Sequence, residues 1–477
     1  MKPCSLGLVL LLLGVNGCSS ALVRAARERP DAELRFALRN VGPRLAASEA
    51  RAVARARVKR EFDAPPTEQS VAFVDAVAPC AAPIGEMMRA RAAVADEVGA
   101  RAALAALDAS LIDSTSQVRS FAADDPAWRA VGARAMVLPE SEGPSAPCEG
   151  NWGPCDRDAR RGVAIARWRR AAILDPHPEV RRAGLAAAVD AEDPLDLPAL
   201  VDAARRDPDP LARHLAIDAL AALGSVDGVL ALQDLWAQAN EDERLAVVEA
   251  WLEVLLAAPD ASAPPTGARA SVETPAVLAL AMLARAIDMD SGRSSILAAA
   301  GVLRSPSSGD AGPARTAIEG RAAAMLVRRL LKGSIEERLL AIDEAPGSVA
   351  AIVEAWREIA NGTDVELATA ALGRLVEESP LVSPHERTKA LEALVRRVDG
   401  DTSSAARARA ALAGERTPAL VASLVRAAGS TDAVIRGDAA LGLVKSGAFA
   451  EAAVLLTDVD PVVRGAAACA LLTEELR

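Results

Sequence analysis

The stretch Asp175-Pro-His-Pro-Glu-Val-Arg181-Arg-Ala-Gly-Leu joins a polar turn to the start of an apolar helical run. It recurs 32 residues later as Asp207-Pro-Asp-Pro-Leu-Ala-Arg213-His-Leu-Ala-Ile, and near the end as Asp458-Val-Asp-Pro-Val-Val-Arg464-Gly-Ala-Ala-Ala. This short period predicts an array of small structural repeats rather than separate domains. Looser copies centre on Arg119, Arg407 and Arg436.

Each slot of the repeat has a physical meaning. Four residues before the Arg stands, in five of six copies, a residue able to accept a hydrogen bond from a free amide of the first helical turn. Pro follows in three copies and is favoured there because the first helical position loses no amide bond. The slot three residues after the Arg is always small, so a neighbouring helix can approach closely: Ala122, Gly184, Ala216, Ala410, Ala439 and Ala467.

An acidic residue precedes the Arg by six positions in five of the six copies. An acid in one turn that faces an Arg of a neighbouring turn predicts a ladder of ion pairs along a stack of repeats. The predicted ladder comprises Asp113, Arg119, Asp175, Arg181, Asp207, Arg213, Asp401, Arg407, Arg436, Asp458 and Arg464.

The pattern Asp-Pro-x-x-x-Val-Arg-x-x-Ala resembles the HEAT-like repeat in its short bacterial form. The resemblance implies an all-α fold, an α-solenoid of stacked helical hairpins with roughly 11–13 helix pairs. The pattern is absent from residues 31–110, which we expect to form atypical helical hairpins that cap the array. Repeats are expected over 111–257, with a loop at 137–156, and over 276–477, after a linker at 258–275.

The N-terminus has the features of an export signal. Lys2 gives a positive start, and the apolar stretch Leu6 to Val15 is shorter than the roughly 20 residues of a membrane-spanning helix. The following Val15-Asn16-Gly17-Cys18 resembles the lipobox of bacterial lipoprotein signal peptides. That resemblance implies removal of residues 1–17 and acylation of Cys18, for example with palmitate.

Acyl chains on Cys18 would anchor the protein durably to a membrane. Residues 18–30 are then expected to be a lipid tether. Ser19 is not the acidic residue that retains enterobacterial lipoproteins in the inner membrane. We therefore expect a lipid-anchored protein of the bacterial cell envelope, at the outer membrane, on its periplasmic side or at the surface.

An oxidising compartment would permit disulfides. Cys148 and Cys155 flank a loop-like segment and are predicted to form one, with Cys80 joined to either of them as the alternative. Cys469 lies in an apolar helical run and is interpreted as a small core residue. Trp152, inside the same loop, is either a binding anchor or a side chain that packs back onto the array.

Composition excludes several functions. With 51% hydrophobic residues the chain is not disordered, and a net charge of −11 with 2% aromatic residues argues against nucleic-acid binding. The sequence contains no Gly-rich phosphate-binding loop, no His-Glu-x-x-His zinc motif and no Gly-x-Ser-x-Gly motif of serine hydrolases. We therefore predict no catalytic residues, no metal and no cofactor. The predicted function is that of a scaffold that binds an unknown protein or peptide partner. The alternatives are a purely structural envelope component or an enzyme of the HEAT-like repeat lyase type.

Overall fold

A computed structural model describes residues 16–137, 154–257, 274–289, 292–305, 313–377, 379–400, 402–415 and 417–473. Within these ranges all regular elements are helical, which confirms the all-α prediction. The chain divides into two compact units. The terminal unit comprises the residues up to Ile112 together with those from Thr388 onward, and the central unit is Asp113–Arg387.

The helices are numbered in chain order. The first thirteen are α1 (Asn16–Glu28), α2 (Asp31–Val41), α3 (Ala47–Asp63), α4 (Glu68–Val77), α5 (Gly85–Ala92), α6 (Glu97–Asp108), α7 (Ser114–Gln117), α8 (Pro126–Arg134), α9 (Pro154–Ile173), α10 (Pro178–Ala191), α11 (Leu197–Arg206), α12 (Pro210–Ala222) and α13 (Val226–Trp236). The others are α14 (Glu241–Ala257), α15 (Pro275–Met289), α16 (Gly292–Arg304), α17 (Pro313–Lys332), α18 (Ile335–Glu344), α19 (Ala350–Ala360), α20 (Val365–Val376), α21 (Pro384–Val395), α22 (Ser403–Ala411), α23 (Pro418–Ala427), α24 (Ala433–Lys445), α25 (Phe449–Val454) and α26 (Pro461–Thr473).

The central unit is built from two layers of helices. The first layer contains α8, α10, α12, α14, α16, α18 and α20, each of which contacts the next. The second layer contains α9, α11, α13, α15, α17 and α19, and each of these forms a hairpin with the following helix of the first layer. The predicted architecture of stacked helical hairpins is therefore confirmed.

Local sequence explains how these helices begin and how closely they pack. Asp209 accepts a hydrogen bond from the Leu211 amide at 3.2 Å, and Pro210 occupies the first position of α12. The small slot at Ala216 is fully buried. At Gly301 of α16 a Cβ atom would lie 2.4 Å from the Leu252 side chain of α14, so the two helices approach closely here and a larger residue would require Leu252 to shift.

In the terminal unit the N-terminal helices pack against the C-terminal repeat. The last helix, α26, lies between α24 on one side and α3 and α4 on the other. A Cβ atom at Gly465 would lie 2.4 Å from the Ala76 Cβ, which shows how closely α26 and α4 approach. Residues 31–110, expected to cap the array, thus cover its C-terminal repeat.

The predicted tether is different in the structure. Helix α1 begins at Asn16, within two residues of Cys18, and buries Leu22 and Ala26 against the terminal unit, where it contacts α3. Most of residues 18–30 are therefore part of the fold, because the apolar positions spaced by four residues form a helix face that packs. Over the described ranges no single helix is long and apolar enough to cross a membrane. The segments Glu68–Cys80 and Ala82–Ala92 reach that length and apolar content only when they are taken together, and the chain bends sharply between them.

Candidate binding groove

The repeat arginines join each turn to the next. Arg181 donates through Nε and Nη2 to the carboxylate of Asp207 at 2.7 and 2.9 Å, and Arg436 binds Asp458 in the same way at 2.9 Å for both bonds. In both copies Nη1 donates to the carbonyl oxygen six residues earlier, at 3.0 Å. Hydrogen bonding to these carboxylates raises the pKa of both arginines. The four side chains are thereby committed to the stack rather than to a ligand.

Where the next turn has no aspartate, a glutamate provides the carboxylate. Arg213 donates through Nε to Glu243 Oε1 at 3.1 Å. Arg464, in the last repeat, donates through Nε to Glu61 Oε1 at 3.1 Å, and Glu61 belongs to α3. In the terminal unit, α3 thus occupies the position that a further repeat would have.

The repeat predicted around Arg119 is found ten residues further along the chain, around Arg129. Arg119 is in a 3-10 helix, Val118–Ala122, and Ala122 is exposed. The repeat geometry is instead formed by Arg129, whose Nη1 donates to the Asp124 carbonyl at 2.8 Å and whose Nε pairs with Asp175 at 3.4 Å. Asp125 accepts from the Ala127 amide at 2.9 Å and Pro126 occupies the first position of α8, so this copy has the N-cap and the Pro of the repeat.

The copy at Arg407 is shifted by one residue. The N-cap of α22 is Thr402, not Ser403, and its hydroxyl accepts from the Ala405 amide at 3.2 Å. The predicted small slot, Ala410, is exposed, and the buried position before it is Arg409, which donates to the Gly400 carbonyl at 2.9 Å. Asp401, the acid of this copy, lies outside the described residues, and Asp113 lies at the start of the central unit.

The cysteine predictions have different outcomes. Cys80, at the end of the 3-10 turn after α4, forms a disulfide with Cys469 of α26, with Cα atoms 5.6 Å apart. This corrects the interpretation of Cys469 as a core thiol and of Cys80 as a partner for the loop cysteines. Cys148 and Trp152 lie outside the described residues, and the side chains of Cys155 and Cys18 are not described either. The predicted Cys148–Cys155 bridge stays a prediction.

Two neighbouring cavities form a groove along the first layer of the central unit. Its first cavity, about 590 Å³, lies between α12 and α14. His214 and Asp218 line it from one face of α12, where they are four residues apart, and Leu245 and Glu249 line it from α14 in the same way. Side chains four residues apart on two packed helices therefore form the two walls of the groove.

Asp218 is the most perturbed group in this groove. Its pKa is raised from 3.8 to about 6: burial is the largest cause, the charges of Glu253 and Glu249 add to it, and His214 acts in the opposite direction. Asp218 therefore titrates close to neutral pH, and its environment favours either a proton or a positively charged neighbour.

A second cavity of about 560 Å³ continues the groove and shares Glu249 with the first. Its apolar part is made by Leu252, Leu256 and Leu297, of which Leu256 is 59% exposed. Its far end is closed by an ion pair between Arg304 and Glu344, at 2.7 Å. The combined groove runs across α12, α14, α16 and α18, with acidic groups beside an apolar floor.

The groove does not have the features of a metal or nucleophile site. Within the described part of the chain, no three His, Cys, Asp or Glu side chains converge as metal ligands. The residues that line the two cavities include no Ser, Thr, Cys or Lys. The arrangement is suited to non-covalent binding of a cationic and apolar segment.

The sequence contained part of this site without identifying it. His214 and Asp218, and Glu249 and Glu253, are pairs four residues apart on predicted helices, and such spacing is equally typical of a solvated helix face. Only the packing of α12 against α14 brings the two pairs together and partly removes Asp218 from water.

Comparisons with known proteins concern the fold alone. No protein-family model matches the sequence, and no curated protein matches it. Among solved structures, an engineered protein is 17% identical over 75% of this chain and 98% of its own, with a TM-score of 0.28. The karyopherin Kap121p bound to RanGTP is 13% identical over 96% of this chain and 52% of its own, with a TM-score of 0.26.

Kap121p bound to the extreme C-terminus of a protein phosphatase gives a similar result, with 15% identity, 94% and 49% coverage and a TM-score of 0.26. The chain thus spans about half the length of these karyopherin chains. These values are too low to transfer a partner or an activity, so the binding properties of the groove are argued from its own residues.

Proposed function

We propose that the protein is a non-catalytic, lipid-anchored scaffold of the bacterial cell envelope whose central unit binds a basic segment of a partner protein. The observation that supports this is the continuous groove across α12, α14, α16 and α18. Its acidic side chains complement Lys and Arg, and its exposed Leu256 offers a contact for an apolar side chain.

The electrostatics favour a cationic partner in particular. The charges of Glu249 and Glu253 repel that of Asp218, and this repulsion adds to the effect of burial in raising the pKa of Asp218 to about 6. A bound Lys or Arg would relieve this repulsion and lower that pKa again. Part of the binding free energy would thus come from relief of the electrostatic repulsion that ionised Asp218 experiences in the free protein at neutral pH.

The location is proposed from the N-terminal sequence. Cys18 follows an apolar signal and a lipobox-like segment, so acylation there would hold the protein at a membrane. The Cys80–Cys469 disulfide supports an oxidising compartment, since structural disulfides are rare in reducing ones. We propose the outer membrane, on its periplasmic side or at the surface.

A peptide-binding measurement tests the groove directly. A fluorescent peptide of alternating Lys and Leu is titrated with the mature chain, and the same peptide with Glu in place of Lys is the chemical control. We expect only the basic peptide to bind, and Glu249→Lys with Glu253→Lys to weaken its binding about tenfold, as expected for two lost charge pairs. Asp227→Lys with Asp234→Lys, on exposed positions of the second-layer helix α13, makes the same charge change away from the groove.

Site-specific crosslinking in cells then identifies the natural partner. A photo-reactive residue replaces the exposed Leu256 in the groove or, as the control, the exposed Val277 of α15 in the second layer. A single stoichiometric crosslinked partner from position 256, and none from position 277, would support the proposed scaffold function. Equal adducts from both positions, or equal peptide affinity for both charge variants, would overturn the proposal in favour of a purely structural component.

A further inference from the structure

The first three helices have a charge opposite to that of the whole protein. Residues 16–63 contain eleven Lys or Arg and six Asp or Glu, whereas the chain has a net charge of −11. Such a reversal over α1, α2 and α3 concentrates positive charge on one part of the terminal unit. A local excess of this kind attracts anionic partners even when the whole protein is acidic.

The acidic residues of this segment are mostly used in internal pairs. Asp31 pairs with Arg57 at 2.6 Å, Glu33 with Arg29 at 3.3 Å, and Asp63 with Lys59 at 3.2 Å. Glu49 accepts from the Ala46 amide at the start of α3. Four of the six acidic side chains, Glu61 included, are thus paired with particular basic residues.

Five arginines of the segment are exposed and have no ion pair within the described part of the chain. They are Arg24, Arg27, Arg39, Arg44 and Arg55. Arg24 and Arg27 lie on α1, on the side opposite to Leu22 and Ala26, which are buried against the unit.

Helix α2 has an exposed aromatic side chain. Phe36 is 70% exposed, and it lies on the side of α2 opposite to Leu34 and Leu38, both of which are fully buried. Arg39 is exposed one turn further along the same outward side. An exposed large aromatic residue beside arginines is typical of surfaces that lie in a lipid headgroup region, where the ring enters the apolar boundary.

From these charges and this exposed ring we propose that the exposed sides of α1 and α2, with Arg24, Arg27, Phe36 and Arg39, dock together onto an anionic phospholipid surface. The arginines bind headgroup phosphates as bidentate donors, and Phe36 inserts at the headgroup boundary. This binding does not require the lipid on Cys18. It adds a second membrane signal to the proposed acylation, which alone leaves the orientation of the protein free.

The position of Cys18 fits the same surface. Cys18 lies four residues before the buried Leu22, which is about 6 Å along a helix. An acyl chain on Cys18 would therefore begin within one helical turn of the packed part of α1. This step rests on the proposed lipidation, and it would bring the α1–α2 hairpin close to the bilayer.

Vesicle sedimentation tests the surface without the lipid anchor. The mature chain with Cys18→Ser is mixed with vesicles of phosphatidylcholine, with or without phosphatidylglycerol, at low and high salt. We expect binding to the anionic vesicles alone and a decrease at high salt. Arg24→Glu with Arg27→Glu and Arg39→Glu should weaken it by at least a hundredfold, since each basic residue near an anionic surface contributes about fivefold.

Two further variants make the result specific. Arg206→Glu with Arg285→Glu and Arg293→Glu makes the same charge change at exposed positions of the central unit and should bind like the unchanged protein. Phe36→Ala is a single exposed change that leaves folding intact and should weaken binding to anionic vesicles severalfold. The proposal would be overturned if the protein bound neutral and anionic vesicles equally, or if both triple variants lost the same amount of binding. Neither result depends on acylation of Cys18 or on a partner in the groove.

Discussion

Arg464 donates through Nε to Glu61 at 3.1 Å, although 403 residues separate them in the chain. For Arg181, Arg213 and Arg436 the equivalent carboxylate comes from the next repeat, 26, 30 and 22 residues further along the chain. Here it comes from α3, so the helices that precede the repeats complete the last one. The terminal unit is therefore formed from both ends of the sequence, and its contacts have high sequence separation.

Glu61→Gln should destabilise the protein. Glu61 pairs with Arg57 at 2.6 Å as well as with Arg464, and the side chains of these arginines are only 4% and 7% exposed. Loss of the charge leaves both cations less compensated, and we expect a decrease of roughly 2 kcal/mol in the free energy of unfolding, since Asp31 still pairs with Arg57.

The measurement for Glu61→Gln is urea denaturation. Glu33→Gln is the control, because its pair with Arg29 is more than half exposed at both side chains and should contribute little. The same loss in both variants would show that the Glu61 contact has no special role.

The Cys80–Cys469 disulfide should stabilise the terminal unit. Replacing both cysteines with Ala is expected to lower the free energy of unfolding by about 2–4 kcal/mol, because the bridge closes a very long loop. Peptide mapping of the unreduced protein by mass spectrometry is the decisive measurement. Linkage of Cys80 to Cys148 or Cys155 instead would contradict the structure.

Ala216→Leu should lower the melting temperature. Ala216 is fully buried on α12, which packs between α10 and α14, and the added side chain has no space there. Overpacking of this kind costs about 1–3 kcal/mol. Ala281→Leu, at an exposed position of α15, is the matched control, and an unchanged melting temperature in both would mean that the small slot does not set helix spacing.

The protonation of Asp218 should make stability depend on pH. Its folded pKa of about 6 lies above the ordinary value of 3.8, so the folded state binds the proton more tightly than the unfolded state. The contribution of this group to stability therefore falls as the pH rises from about 4 to about 6 and stays reduced above that range. Asp218→Asn should raise the melting temperature at about pH 8 and leave it unchanged at about pH 4, and Asp227→Asn, on an exposed position, should do neither.

Cys18→Ala should release the protein from membranes to the extent that acylation anchors it. Fractionation of cells that express the variant measures this, with the soluble fraction increasing relative to the unchanged chain. If the α1–α2 surface also binds anionic lipid, part of the variant stays bound at low salt and leaves at high salt. Salt-resistant membrane partition of the variant would rule out lipidation as the anchor.

The sequence by itself determined the helices and the repeat, because both depend on local signals. An N-cap side chain, a Pro at the first helical position and apolar spacing lie within one or two turns of each other, so α12 begins at Pro210 after the N-cap Asp209, as the repeat pattern predicts. The same signals failed at Arg119: an acid stands six residues before it, but α7 ends at Gln117 and Arg119 lies in a 3-10 helix. In a chain with so many Arg and Asp residues, an acid six residues before an Arg often occurs by chance, so this spacing alone does not predict a repeat.

Only the tertiary structure decided which distant segments meet. Pairing of Glu61 with Arg464 and of Cys80 with Cys469 depends on α3 and α4 packing beside α26, and no local pattern specifies that choice. The groove likewise depends on α12 and α14 lying side by side, which brings Asp218 of α12 close to Glu249 and Glu253 of α14 and partly buries it. Burial and through-space charge are properties of three-dimensional neighbours, and a sequence specifies them only through its fold.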